Sequence, residues 1–294
     1  MIRIPMFAGR WPRRWRDGVM IGDPLTLTPQ LFAIFSGLIE EAAGLHYGPN
    51  DRELFASKLV AHAADLGFDS LLDYYYRLRY DDPAGTELAQ LVEVLLVHET
   101  YFFRELEPLV QLADGHLADA VARRGNARVW SAACSTGEEP FTLAMLLDAR
   151  GLLGRVELIG SDLSAQVIAS AASGVHKKRA LRDHHPAELA ARYLEPCPDG
   201  VAVAPQIRSA VAFRTVNLLD AAQVRALGAF DAILCRNVLI YFCDDQVTRV
   251  IDQLAGSLTA DGLLAVGVSE SLLRFGTSLV CEERGRSFFY RRAR

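Results

Sequence analysis

The stretch Arg128-Val129-Trp130-Ser131-Ala132-Ala133-Cys134-Ser135-Thr136-Gly137-Glu138-Glu139-Pro140 constrains the fold of this chain more than any other. It reads as a buried strand, a turn of small residues from Cys134 to Gly137, and a helix that starts near Glu138. Pro140 fits a first helical turn, where a missing N–H costs nothing. The two acids suit the positive end of the helix dipole. In an open α/β sheet such a unit stands at the ligand edge of the first strand. Glu138 and Glu139 would repel a pyrophosphate from that helix end, and neither G-x-G-x-x-G nor G-x-x-x-x-G-K-[ST] occurs in the stretch. A cationic or zwitterionic nucleoside such as S-adenosylmethionine fits better. An ordinary strand-to-helix turn with an acidic first helical turn is the alternative.

Composition and cysteine usage read as those of a reduced, cytoplasmic globular protein. Its 294 residues are 51% hydrophobic, enough for one large or two ordinary domains. The net charge of -5 disfavours bulk nucleic-acid binding. Five cysteines at irregular spacing make neither a disulfide framework nor a zinc pattern. No apolar run approaches membrane-spanning length, so no membrane insertion is expected. Residues 1–23 read as a basic, poorly ordered tail, with Arg3, Arg10, Arg13, Arg14 and Arg16 around Trp11 and Trp15.

Residues 24–97 read as a small domain of four amphipathic helices. The first starts at Thr28-Pro29 and ends at Gly44. The second starts at Asn50 or Asp51 and buries Phe55, Leu59 and Leu66; the third covers Leu71 to Leu78; the fourth starts near Thr86. His62 reads as a half-buried surface residue. Residues 98–111 form an aromatic linker, and a sheet domain fills 112–294. Val156–Asp162 reads as the second strand, ending in an acid where a ribose-hydroxyl acceptor stands, or where a helix cap for Ser164–Ala172 stands. Residues 174–214 read as a β-rich insert, with Gly200–Ala204 and Ser209–Phe213 as short antiparallel strands. A strand ends at Asn217, whose amide is placed to read an adenine edge, and the next helix begins at Asn217-Leu218-Leu219. Phe230–Cys235 runs into polar Arg236 and Asn237 at the carboxyl end of a parallel strand, where ligands bind. A fifth strand and a closing antiparallel pair around Arg284-Gly285 complete the sheet.

Three segments carry a family resemblance: Glu99–Glu105, Trp130–Pro140 and Cys235–Phe242, with Val268–Leu272 beside them. Together they make the chain resemble the CheR family of S-adenosylmethionine-dependent chemoreceptor glutamate O-methyltransferases. The resemblance implies an α/β fold: a Rossmann-like methyltransferase sheet with a β-rich insert after an all-α N-terminal domain. It implies S-adenosylmethionine as cofactor, S-adenosylhomocysteine as product, and no metal. The partner implied is the cytoplasmic helical region of methyl-accepting chemotaxis proteins, with the enzyme acting as a monomer. Carried over by motif, Arg104 and Tyr241 stand beside the substrate carboxylate. His98, Thr100, Arg104, Ala132, Glu138, Asp162, Asn217, Leu218, Arg236 and Asn237 contact the cofactor, with Asp162 on the ribose and Asn217 and Leu218 on the adenine. Two positions depart from the family pattern. His98 stands where asparagine is usual, and the second helix keeps only Arg52 and Lys58 of a commonly basic face. Other readings are a methyltransferase for a different acceptor, and a cofactor-binding adaptor without turnover.

Overall fold

Four helices open the computed structural model, which describes residues 25–293. The basic tail expected over residues 1–23 lies outside the described residues. Helices α1 (Pro29–Ala43), α2 (Arg52–Asp65), α3 (Leu71–Tyr80) and α4 (Thr86–Leu95) turn Phe35, Phe55, Leu59, Tyr74 and Leu91 into one core. The Thr28 hydroxyl accepts from Leu31 N at 3.2 Å to start α1, and Gly44 ends it at φ 74°. Leu66, expected in this core, is exposed because α2 stops at Asp65; Ala63 takes the inward position instead. His62 is partly buried and ties to Glu87 at 3.0 Å; Tyr74 donates to the same carboxylate at 2.8 Å. That acid joins α2, α3 and α4.

A linker then leads into α5 (Leu106–Gln111), a π-helical turn over Leu112–His116, and α6 (Leu117–Arg124). The sheet follows from β1 (Ala127–Ala132) and α7 (Glu138–Ala149) to β2 (Val156–Asp162) and α8 (Ala165–Ser173). An insert comes next: β3 (Val175–His176), α9 (Ala187–Tyr193), β4 (Leu194–Cys197), β5 (Gly200–Val203) and α10 (Pro205–Arg208). The chain returns through β6 (Val211–Thr215), α11 (Ala221–Ala226), β7 (Phe230–Cys235), α12 (Asp244–Gly256) and β8 (Leu258–Val266). It closes with the hairpin β9 (Leu279–Arg284) and β10 (Ser287–Arg292).

The main sheet has the order β6-β2-β1-β7-β8-β10-β9. Its first five strands in that order are parallel, and β10 and β9 close it antiparallel. Buried side chains cover both faces, Val129 and Phe141 on one and Trp130 and Ile251 on the other. The chain leaves β1 for β2 and β6 on one side and returns to β7 and β8 on the other. The β1/β7 gap is therefore the topological switch point, where α/β sheets open a crevice for ligands.

Three local expectations are corrected. Val211–Thr215 is a strand of the main sheet, parallel to β2 with Leu158 opposite Val211. The separate antiparallel sheet is β3-β5-β4 alone. A period-two pattern marks a strand without saying which sheet receives it. Helix α11 begins at Ala221 and not at Asn217, because the Asp220 carboxylate accepts from Ala222 N and Gln223 N at 2.9 and 3.1 Å. Ser164, not Asp162, caps α8, accepting from Val167 N at 3.1 Å.

Candidate functional site

A cleft of about 400 Å³ opens at the carboxyl ends of β1, β2 and β7. The helical domain and the linker form its other wall. Leu45, Tyr47, Leu95 and His98 face Cys134, Ser135, Asp162 and Asn237 across it. The two domains are held in contact there: Leu163 and Tyr241 pack on the helical core, and His46 N donates to Tyr241 O at 2.8 Å.

The turn after β1 supplies the floor. Cys134 N donates to Ser161 O at 2.8 Å, which bends the chain over the end of β2. Asp162 then accepts from Ser135 N at 2.9 Å and Ser164 N at 3.1 Å. Burial pushes the Asp162 carboxyl above its ordinary pKa, and those two N–H groups only partly offset it. The residue is nearly all covered yet lines the cleft. Gly137 needs φ 93°, and a Cβ there would meet Ala171, Phe213 and Phe141 at 3.0 to 3.2 Å.

An ion triad forms the inner wall. The Arg236 guanidinium donates to Glu139 at 2.8 Å and to Glu105 at 2.9 Å, and also reaches the Arg104 and Glu105 carbonyls at 3.1 Å. Burial opposes its charge, but the two acids outweigh that and raise its pKa. Burial likewise works against the charge of Glu105, and Arg236 overrides it, holding that carboxyl below its ordinary value. Glu139 also accepts from the Ser131 hydroxyl at 2.6 Å. The triad thus joins the linker, the first turn of α7 and the loop after β7.

A second acid shapes that last loop. Glu270 accepts from Asn237 N at 2.6 Å, Leu239 N at 2.8 Å and Gly267 N at 2.8 Å. Charge-assisted bonds to three N–H groups hold the segment carrying Tyr241. Replacing Glu270 by glutamine strands part of this set. The expected loss is about 1–3 kcal/mol of stability, read from the denaturant midpoint.

Of the five non-glycine residues with positive φ among the described residues, Ala133, Ser135 and Asn237 line this cleft, Glu105 bonds Asn237 beside it, and Phe103 lies in the adjoining linker. Strained backbone of this kind clusters where a site must be held in shape.

The cleft brings together most of the residues named from sequence: His98, Thr100, Arg104, Asp162, Asn217, Leu218, Arg236, Asn237 and Tyr241. Ala132 and Glu138 are not among its lining residues. Ala132 is covered inside β1, and Ala133 takes the cleft position. Glu138 turns into the protein, where it accepts from Thr136 Oγ at 2.7 Å and bonds His176 Nδ1 at 3.0 Å. Glu139, about 100° further round the helix, faces the cleft. Burial raises the Tyr241 pKa, with Arg104 opposing. Asn217 Oδ1 accepts from Leu219 N at 2.9 Å, leaving one lone pair and its amino group. His98 stands 3.4 Å from Glu93, without hydrogen-bond geometry. The supports missed from sequence are Glu105, Glu139 and Glu270; an acid inside each otherwise apolar or small-residue motif was the available signal. Among the described residues, no group of three or more His, Cys, Asp or Glu side chains is placed to hold a metal.

Comparison with known proteins follows the same segments. The family described as CheR methyltransferase, SAM binding domain, matches residues 98–284. The chemotaxis protein methyltransferase of Vibrio parahaemolyticus is 34% identical over 257 residues, covering 84% of this chain and 91% of its own. Chemotaxis protein methyltransferase 1 of Pseudomonas aeruginosa is 33% identical over 250 residues, covering 82% and 90%. The chemotaxis protein methyltransferase of Escherichia coli is 34% identical over 254 residues, covering 85% and 87%.

Proposed function

The chain belongs to the CheR methyltransferase family of S-adenosylmethionine-dependent enzymes, and from that premise we propose that it methylates glutamate side-chain carboxylates of chemoreceptors. The products are a glutamate methyl ester and S-adenosylhomocysteine. The observation that carries the acceptor is the contrast between two cleft arginines. Arg236 is occupied by Glu105 and Glu139. Arg104 lines the same cleft, donates to Glu99 O at 2.8 Å, and pairs with no carboxylate among the described residues. Its fork is available to orient an incoming carboxylate.

The cofactor fits the residues present. Asp51, Glu99, Glu139 and Asp162 line the cleft, Glu139 paired with Arg236, which suits a cationic ligand, and Asp162 is an acceptor for ribose hydroxyls. Ser135 Oγ and Arg236 Nε, both on cleft-lining residues, are buried without partners among the described residues. Unpaired buried polar atoms are rare unless a ligand or water serves them. His98, Thr100, Asn217, Leu218 and Asn237 complete the cofactor-binding set. Ala132 and Glu138 act one layer behind it, by shaping the turn.

S-adenosylmethionine, when bound, supplies a methyl carbon activated by its sulfonium. The chain's task is alignment. A glutamate is already ionised at neutral pH, so no general base is required. Arg104 holds the acceptor carboxylate, and Tyr241 closes the other side. Their grip must remain loose enough that the nucleophile is not stabilised more than the transition state. The helical domain and linker exclude water from the cleft and fix the approach. Action in the cytoplasm as a monomer, on the helical cytoplasmic part of the receptor, completes the proposal; no helix among the described residues is long and apolar enough to cross a membrane.

The raised Asp162 pKa sets a pH dependence. Its carboxylate is the form that accepts a ribose hydroxyl. Cofactor affinity is full above the Asp162 pKa and falls as pH drops through it, at higher pH than for an ordinary aspartate. Stability moves the other way: the folded protein holds that proton more tightly than the unfolded chain, so this group's contribution declines as pH rises from the ordinary aspartate value through the raised one. Asp162→Asn lowers cofactor affinity about ten- to hundredfold and flattens its pH profile, measured by calorimetry. The acceptor is tested by mass spectrometry of a receptor fragment after incubation with protein and cofactor. One methylene gained on a glutamate, and removed by mild alkali, supports the proposal; methylation elsewhere overturns it.

A further inference from the structure

Four cations fall within six residues at the edge of the insert: Lys177, Lys178, Arg179 and Arg182. We propose that this ridge docks an acidic, helical protein segment and leads its carboxylate into the cleft; the inference rests on the glutamate-methyltransferase reading and names how the acceptor is recognised.

The ridge is fixed to the linker that carries Arg104. Arg182 lies over the Tyr101 ring at 3.7 Å, and Arg104 lies 5.6 Å from the centroid of the same ring. Arg182 also donates to the Glu99 carboxylate at 2.8 Å, while Arg104 donates to the Glu99 carbonyl. Phe102 N donates to Ala180 O at 2.8 Å. Guanidinium groups on an aromatic ring are held in place, so Arg182, itself paired with Glu99, ties the segment carrying Lys177, Lys178 and Arg179 to the linker that carries Arg104.

The backing is rigid. His176 and Ala180 are buried beside the ridge, and His176 bonds Glu138 at the start of α7. Gly200, at φ 144°, lets β5 pass so close that a Cβ would meet His176 O at 2.2 Å and Lys178 N at 2.6 Å. Lys177, Lys178 and Arg179 themselves are exposed and pair with no carboxylate among the described residues. Exposed, unpaired cations on a rigid support are charge offered outward.

On the helical domain, Arg77 and Arg79 are exposed on α3, where they bond Asp81 O and the Glu41 carboxylate, and α2 carries two further cations. Arg52 donates to Leu27 O at 2.6 Å, and Lys58 donates to Leu95 O and Leu96 O at 3.2 and 3.0 Å. Both are half-buried, with their donors on backbone carbonyls. The cleft itself is lined by Asp51, Glu99, Glu139 and Asp162, which repel a continuous polyanion. A helix with spaced acids meets the ridge with some and presents one to Arg104. That favours an acidic protein segment over a nucleic acid or an anionic membrane. Complementary charge of this kind acts mainly on encounter and affinity, not on the chemical step.

The test uses the full chain and a fluorescein-labelled synthetic helical peptide with glutamates at helical spacing, beside its glutamine counterpart. Anisotropy reports binding of each, with the variant K177E/K178E/R179E and the milder K178Q/R179Q in case the first does not fold. The expected result is preference for the glutamate peptide, an affinity at least about tenfold lower in the triple variant, and a flatter salt dependence. Cofactor affinity and melting temperature stay unchanged. Equal peptide affinity in all folded proteins overturns the proposal, as does tighter ridge-dependent binding of an RNA oligonucleotide or of phosphatidylserine vesicles at the same ionic strength. Ridge-dependent peptide binding without methyl-ester formation keeps the ridge and overturns the glutamate reading; ester formation with an unchanged KM in the triple variant does the reverse.

Discussion

Arg236→Met unfolds the protein at markedly lower denaturant, with a loss of about 3–5 kcal/mol. The guanidinium is only 2% exposed at its side chain and lies between Glu105 and Glu139. Removing it strands two acids in a confined space, and the penalty is their unpaired charge more than the lost contact. The charge argument has its own control. R236M/E105Q/E139Q removes the stranded charges and regains much of the stability, yet stays inactive because the linker and the first turn of α7 are no longer tied together. Equilibrium unfolding of the single and triple variants checks this. Equal losses in both would show that packing, and not charge, holds the triad.

Arg104→Ala lowers kcat/KM for methyl transfer by about a hundredfold or more, with cofactor affinity largely retained. Arg104 carries no carboxylate partner of its own among the described residues, so its loss costs little stability. It removes the fork that orients the acceptor. Arg104→Lys keeps the charge but loses the two-pronged geometry, and recovers only part of the rate. Steady-state kinetics with cofactor binding measured separately distinguish this from a cofactor defect. A fall in cofactor affinity that matches the fall in kcat/KM would assign Arg104 to the cofactor instead.

Local chemistry made much of this molecule legible in its sequence. Small residues from Cys134 to Gly137 after an apolar strand mark a tight turn at a sheet edge, and the structure places that turn at the switch point. Thr28-Pro29 and Gly44 mark both ends of α1 because capping is decided within one turn. Long-range pairing was not legible. Arg236 meets Glu139 and Glu105 across 97 and 131 residues, and Glu270 meets Asn237 across 33. No periodicity encodes such partners. Glu138 and Glu139 look equivalent in the sequence, but helical rotation sends one to His176 and the other to the cleft. Residues 211–215 show a strand pattern whichever sheet they join, and only the docking of β2 decides between them.

The central claim is that this cleft delivers a methyl group to a carboxylate. The most direct measurement mixes methyl-labelled S-adenosylmethionine, the purified protein and a receptor fragment, then treats the labelled protein with alkali and collects volatile methanol. The account predicts label on the fragment that alkali releases as methanol, and no release from a fragment whose methyl-accepting glutamates are replaced by alanine. Label that resists alkali, or that survives those replacements, would contradict it.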